Sequence, residues 1–144
     1  MLERINEWVF GAFLIAAAWE DARKKSISIW LFLCAGAAGI VFCFLQGESL
    51  MGRLSGCLVG VALLAVSRLS NEAIGAGDGC FFIVSGLFFP VFFNLNLLIY
   101  GVSLSGLICG IYYMISRVSG RYVGKETVPF LPFLVPVWLF MVII

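Results

Sequence analysis

Histidine is absent from the 144 residues. Without an imidazole there is no Ser–His or Cys–His nucleophilic pair, and most transition-metal sites lose their commonest ligand. Charge is nearly as scarce, at 12% of residues. A soluble domain carries about twice that fraction. Nine Lys and Arg against eight Asp and Glu leave no basic field, which argues against nucleic acid as a partner. The five cysteines are an odd count, and no C-x-x-C pair occurs. Neither a disulfide framework nor a zinc site follows, and Cys34, Cys43, Cys57, Cys80 and Cys109 read as small apolar core residues. No cofactor or metal is expected.

What the chain has is apolar surface: 62% of residues, with a mean hydropathy of +1.10. So few charges cannot cover so large an interior, so a soluble monomer is excluded. Disorder is excluded for the same reason. The chain reads as an all-α polytopic membrane protein, a single membrane-embedded domain over 1–144. Crossing about 30 Å of hydrocarbon takes about 20 helical residues. Six apolar segments are present: 5–20, 29–45, 51–67, 79–93, 95–116 and 127–144. Nothing alternates as a barrel strand does. Several segments are short, the first and fourth most of all, which calls for local thinning of the bilayer or for termini that sit in the headgroup zone. The break between the fourth and fifth segments is set at Asn94-Leu95-Asn96, near Pro90.

Charge sorts these spans into an orientation. With the N-terminus outside, the inner loops 21–28, 68–78 and 117–126 hold Arg23, Lys24, Lys25, Arg68, Arg117, Arg121 and Lys125. The outer side holds only Arg4 and Arg53. Seven against two is a positive-inside bias, and Trp19, Trp30, Tyr112, Tyr113 and Tyr122 lie near the inner loops. Ala16-Ala17-Ala18 resembles a signal-peptide cleavage site. However, Glu3 cancels Arg4, and three positive charges follow the apolar run, so the first span is expected to remain.

The acidic residues can be taken singly. Glu3, Glu7 and Glu48 fall outside; Glu20, Asp21, Glu72, Asp78 and Glu126 fall inside. Asp21 ends the first span and Asp78 opens the fourth, so both stand at one depth on the inner side. Two carboxylates facing each other in a partly desolvated site cannot both ionise, and they share one proton. One can then take a proton from water while the other polarises a carbonyl, with neither His nor metal. Plainer roles stay open: Asp78 as a helix-dipole partner, Asp21 as an interfacial charge. Gly75, Gly77 and Gly79 flank Asp78. Each costs a helix roughly 1 kcal/mol against Ala. Glycine is expected where backbone approaches another chain or takes φ > 0. Gly56-x-x-x-Gly60 and Gly106-x-x-x-Gly110 read as close helix contact, within one chain or across a homodimer.

In these residues the sequence resembles the type IV prepilin peptidase family, the G-x-G-D intramembrane aspartyl proteases. Three stretches carry the resemblance: Asp21-Ala22-Arg23-Lys24-Lys25-Ser26-Ile27-Ser28-Ile29, Gly75-Ala76-Gly77-Asp78-Gly79-Cys80 and Pro129-Phe130-Leu131-Pro132-Phe133. Ser28 and Ile29 replace the family's Pro and Asn, and Cys80 replaces its Lys. The size is similar to the short, peptidase-only members without the N-terminal methylation domain. The resemblance implies a catalytic pair, Asp21 and Asp78, in the cytoplasmic membrane with the active site at the cytoplasmic face. It implies a prepilin or pseudopilin substrate: a basic leader, then an apolar helix. Gly75, Gly77, Gly79, Glu20, Glu72, Pro129 and Pro132 are the motif or substrate-side residues it suggests. Glu20, Glu72 and Glu126 either attract the leader's Lys and Arg or are solvated loop charges, while Pro129 and Pro132 set the start of the last helix. The departures motivate a second reading, a catalytically silent scaffold of pilus or secretion assembly. A small transporter ranks last, since it needs midplane ionisable groups and internal repeats.

Overall fold

The structure is a computed structural model that describes residues 1–71, 75–121 and 128–144. Glu72, Tyr122, Lys125 and Glu126, all singled out from the sequence, lie outside the described residues. Among the described residues there are six helices: α1 (Leu2–Lys24), α2 (Ile29–Leu45), α3 (Leu50–Leu69), α4 (Ala76–Phe88), α5 (Val91–Val118) and α6 (Leu131–Ile143). Among the described residues there is no strand. Of the helices in the described residues two, α3 and α5, are long and apolar enough to cross a membrane; α2, α4 and α6 are shorter apolar helices.

The core is built on α4, which is only 13 residues long. At 1.5 Å per residue that is about 20 Å, well short of the hydrocarbon thickness. Phe10 of α1 is fully buried, with its ring against Phe13, Phe81, Phe88, Phe89 and Trp138. These are tilted and edge-on ring contacts, the arrangement the aromatic quadrupole favours.

Contacts fix the directions of the helices. Asn6 meets Phe88 and Phe13 stacks on Phe81, so α1 runs antiparallel to α4. Asp21 meets Leu131 and Gly11 meets Trp138, so α1 also runs antiparallel to α6. Ile27 faces Gly77 and Gly39 faces Leu87, so α2 runs alongside α4 in the same direction. The end of α1 and the starts of α2, α4 and α6 therefore share one end of the bundle.

Glycine brings α3 and α4 together. A Cβ on Gly60 would stand 2.6 Å from the carbonyl oxygen of Gly79, and one on Gly56 would stand 2.6 Å from that of Phe89. The two backbones touch, which no larger residue permits. The Gly56-x-x-x-Gly60 pattern is thus used within the chain. Among the described residues nothing stands within 4 Å of a Cβ on Gly106 or Gly110.

The junction of α4 and α5 corrects the sequence expectation. The break lies at Phe89-Pro90, and Asn94, Leu95 and Asn96 are inside α5. Phe89 is extended, at φ −134 and ψ 152, as a residue before proline prefers. Asn94 is fully buried. It accepts a hydrogen bond from the Ser85 hydroxyl and donates to the Phe89 carbonyl at 3.1 Å. It clasps the two helices at their turn rather than forming the turn.

At that same end Arg53 is buried, and its guanidinium donates to the carbonyl of Phe88 and to Gln46 Oε1 at 2.6 Å. Its Nε lies 3.0 Å from Glu48, although the angle is too poor for a hydrogen bond. Asn6 Nδ2 donates to the same Phe88 carbonyl at 3.0 Å. Arg53→Met removes one of these two donors and strands Gln46. The expected loss is about 1–2 kcal/mol, read as a lower unfolding temperature in detergent.

Candidate active site

Asp21 sits in the last turn of α1. Its carboxylate Oδ2 accepts the backbone N–H of Leu131 at 3.2 Å, bridging 110 residues of sequence. Leu131 opens α6, and the first N–H groups of a helix have no partner within it. The next residue, Pro132, has no N–H to offer. Asp21 therefore caps α6 from another helix, where the positive end of the helix dipole favours a negative charge. Burial raises the Asp21 carboxyl above its ordinary value, and the N–H groups of Leu131 and Phe130 partly offset this.

Asp78 sits in the first turn of α4, with Gly75 as the N-cap. A Cβ on Gly75 would stand 3.3 Å from Asp78 Oδ2, so the carboxyl folds back over the space that glycine leaves. A Cβ on Gly77 would meet Ile27 at 3.7 Å, an ordinary contact, so packing does not demand glycine there. Gly79 points elsewhere, toward Leu64 of α3. Gly75, Gly77 and Gly79 all lack a positive φ. At Gly75 and Gly79 glycine serves close approach, not an unusual backbone conformation.

Both aspartates line one cavity of about 850 Å³. Lys25, Ser26 and Ile27 form one wall, Gly75, Ala76 and Gly77 a second, and Leu98, Val102 and Ser105 of α5 a third. Pro129 and Phe130 border it too. Lys25 is held in the left-handed region at φ 52, its N–H closing the α1 turn on the Asp21 carbonyl at 2.9 Å. Both carboxyls lie just beyond the apolar spans read from the sequence. Burial, and then the charge of Asp21, push the Asp78 carboxyl up to about 7. Asp78 is the more strongly raised member of the pair.

The other sequence candidates separate. Gly75, Gly77 and Pro129 line the cavity, while Gly79, Glu20 and Pro132 do not. Glu20 instead accepts the N–H of Ser28 at 2.7 Å and lies 3.7 Å from Lys24 Nζ. It ties the end of α1 to the start of α2. Pro132 occupies the first turn of α6. The α5 wall and the Leu131 N–H had no signal in the sequence, because both are supplied by helices that pack from a distance.

Against known proteins, the sequence model of the type IV leader peptidase family matches residues 8–114. That is most of the chain, and it includes both aspartates. The chain belongs to the type IV leader peptidase family. The Pro129–Phe133 stretch lies beyond the matched residues. No curated protein and no solved structure matches the chain. As a leader peptidase with two apolar helices of spanning length, the chain is a membrane protein by family and composition.

Proposed function

We propose that this leader peptidase is an intramembrane aspartic endopeptidase that removes the basic leader of prepilins or pseudopilins at the cytoplasmic face. The observation that carries the reading is the pair Asp21 and Asp78 on one cavity, with the charge of one raising the other. Asp21, held by the Leu131 N–H, is the ionised member and takes a proton from a water molecule. Asp78, protonated, gives its proton to the peptide carbonyl oxygen as the water oxygen attacks carbon. The proton on Asp21 then passes to the leaving nitrogen as the C–N bond breaks, and Asp78 recovers its own as the carbonyl reforms. Glu20 is occupied by Ser28 and Lys24, which leaves Glu72, Glu126 and the ionised aspartate to attract the leader's positive charges.

The same reading takes residues 1–144 as one domain of six membrane helices with the N-terminus outside. Arg23, Lys24 and Lys25 follow Asp21 at the end of α1, Arg68 lies in the last turn of α3, and Arg117 in that of α5. This supports placing the cavity on the cytoplasmic side. The short α4 and α6 both start at the cavity, which brings polar surroundings to carboxyls that a full-length helix would leave in hydrocarbon.

The test is cleavage of a single-span substrate with a basic leader by the purified protein in nanodiscs, followed by mass spectrometry across pH. Rising pH strips the proton from Asp78 near 7 and leaves two anions, so the rate falls. Falling pH protonates Asp21 and leaves no base, so the rate falls again. The expected profile is a bell whose apparent constants belong to the pair. No cleavage at any pH, or a rate unchanged between about pH 6 and 9, contradicts the dyad.

A further inference from the structure

A second groove, sharing no residue with the catalytic cavity, runs along the outside of α1 and α6. It holds about 350 Å³ between Ile15, Ala18 and Trp19 of α1 and Pro132, Val135 and Pro136 of α6. Pro136 stands inside α6 and has no N–H to return to the carbonyl of Pro132. The wall of the groove thus carries an acceptor without its helical donor. At one end the guanidinium of Arg23 lies over the Trp19 ring, 5.0 Å from its centre. Trp19 presents its ring to the cation while itself lining the slot. An apolar slot that ends in an aromatic-held cation, on a helix whose next residues are Lys24 and Lys25, has the two halves of an amphiphile's complement. A single acyl chain fits along a slot of this volume.

We propose that this groove binds one anionic phospholipid, with an acyl chain between α1 and α6 and the headgroup phosphate on Arg23. A headgroup hydroxyl or ammonium within reach of the Pro132 carbonyl supplies the donor that the helix lacks. The proposal rests on the chain's lying in a bilayer and not on the catalytic reading. The test therefore reads bound lipid and not cleavage.

The protein is placed in nanodiscs of equal phosphatidylcholine and phosphatidylglycerol, released in the mass spectrometer, and its retained lipid counted. One phosphatidylglycerol is retained in preference to phosphatidylcholine. Arg23→Gln lowers that preference about fivefold, the worth of one basic residue at a membrane surface. Arg68→Gln, at the end of α3 away from the groove, leaves it unchanged. Val135→Trp fills the slot and removes the retained lipid, with helix content and elution as in the parent protein. Equal retention of the two lipids overturns the proposal. So does an equal loss in Arg23→Gln and Arg68→Gln, which marks diffuse attraction, or unchanged retention in Val135→Trp. If Val135→Trp fails to fold, the Arg23 and Arg68 pair decides.

Discussion

Asp21→Asn and Asp78→Asn each lower the cleavage rate by between roughly 100- and 10,000-fold while the protein accumulates normally. The amide keeps the shape of the acid in both places. In Asp21→Asn the new amide can still accept the Leu131 N–H through its carbonyl oxygen, so the join between α1 and α6 survives. It cannot take a proton from water. In Asp78→Asn the amide can still donate a hydrogen bond to a substrate carbonyl, but it cannot transfer the proton. A variant that merely misfolds is separated from these by its stability. Folding raises the Asp78 carboxyl from 3.8 to about 7, so the folded state holds this proton more tightly than the unfolded chain. That contribution is full below the unfolded value and is lost as pH rises through about 7. The uncharged amide has no such dependence. At pH about 8 the Asp78→Asn protein should therefore unfold at a temperature no lower than its parent, although it is inactive. Normal cleavage by either variant removes the dyad from the mechanism.

Gly60→Val disrupts the bundle itself. The new Cβ comes within 2.6 Å of the Gly79 carbonyl oxygen and onto the backbone of Ile83, and neither can swing aside as a side chain does. The helices α3 and α4 must separate, and Asp78 moves with the start of α4. The expected cost is about 3 kcal/mol or more, the upper end of what overpacking exacts. Yield and unfolding temperature both fall, and activity falls with them. Gly106→Val is the matched control, since a Cβ there meets nothing within 4 Å among the described residues. Equal stability of the two variants contradicts the glycine seam between α3 and α4.

The two glycine pairs show how far sequence reasoning reaches. Both read alike along the chain, as small residues four apart. Among the described residues one pair faces another helix and the other does not, because a spacing defines a face of a helix and not what lies against it. Asn94 shows the converse. Asn is common in turns, so the sequence points to a turn at Asn94-Leu95-Asn96. In the fold Asn94 spends its polar groups on Ser85 and Phe89, buried within a hairpin whose turn Pro90 makes. A turn asparagine and a buried clasp look the same until both helices are in place. By contrast, α2 falls at residues 29–45 as expected, because a continuous apolar run between Ser28 and Gln46 leaves few other solutions.

By itself the sequence determined the medium and the sorting of charge. An interior of 62% apolar residues with 12% charge has no aqueous solution, and each remaining charge must find an end of the bundle. That placed Asp21 and Asp78 at one level, since both depend only on where an apolar run stops. The tertiary structure alone decided what each carboxyl meets. Asp21 finds an N–H that is 110 residues away, and Asp78 finds burial and the charge of Asp21. Hydropathy sets the depth of a residue through its own neighbours in the chain. Proton affinity is set by groups brought from other helices, and only packing brings them.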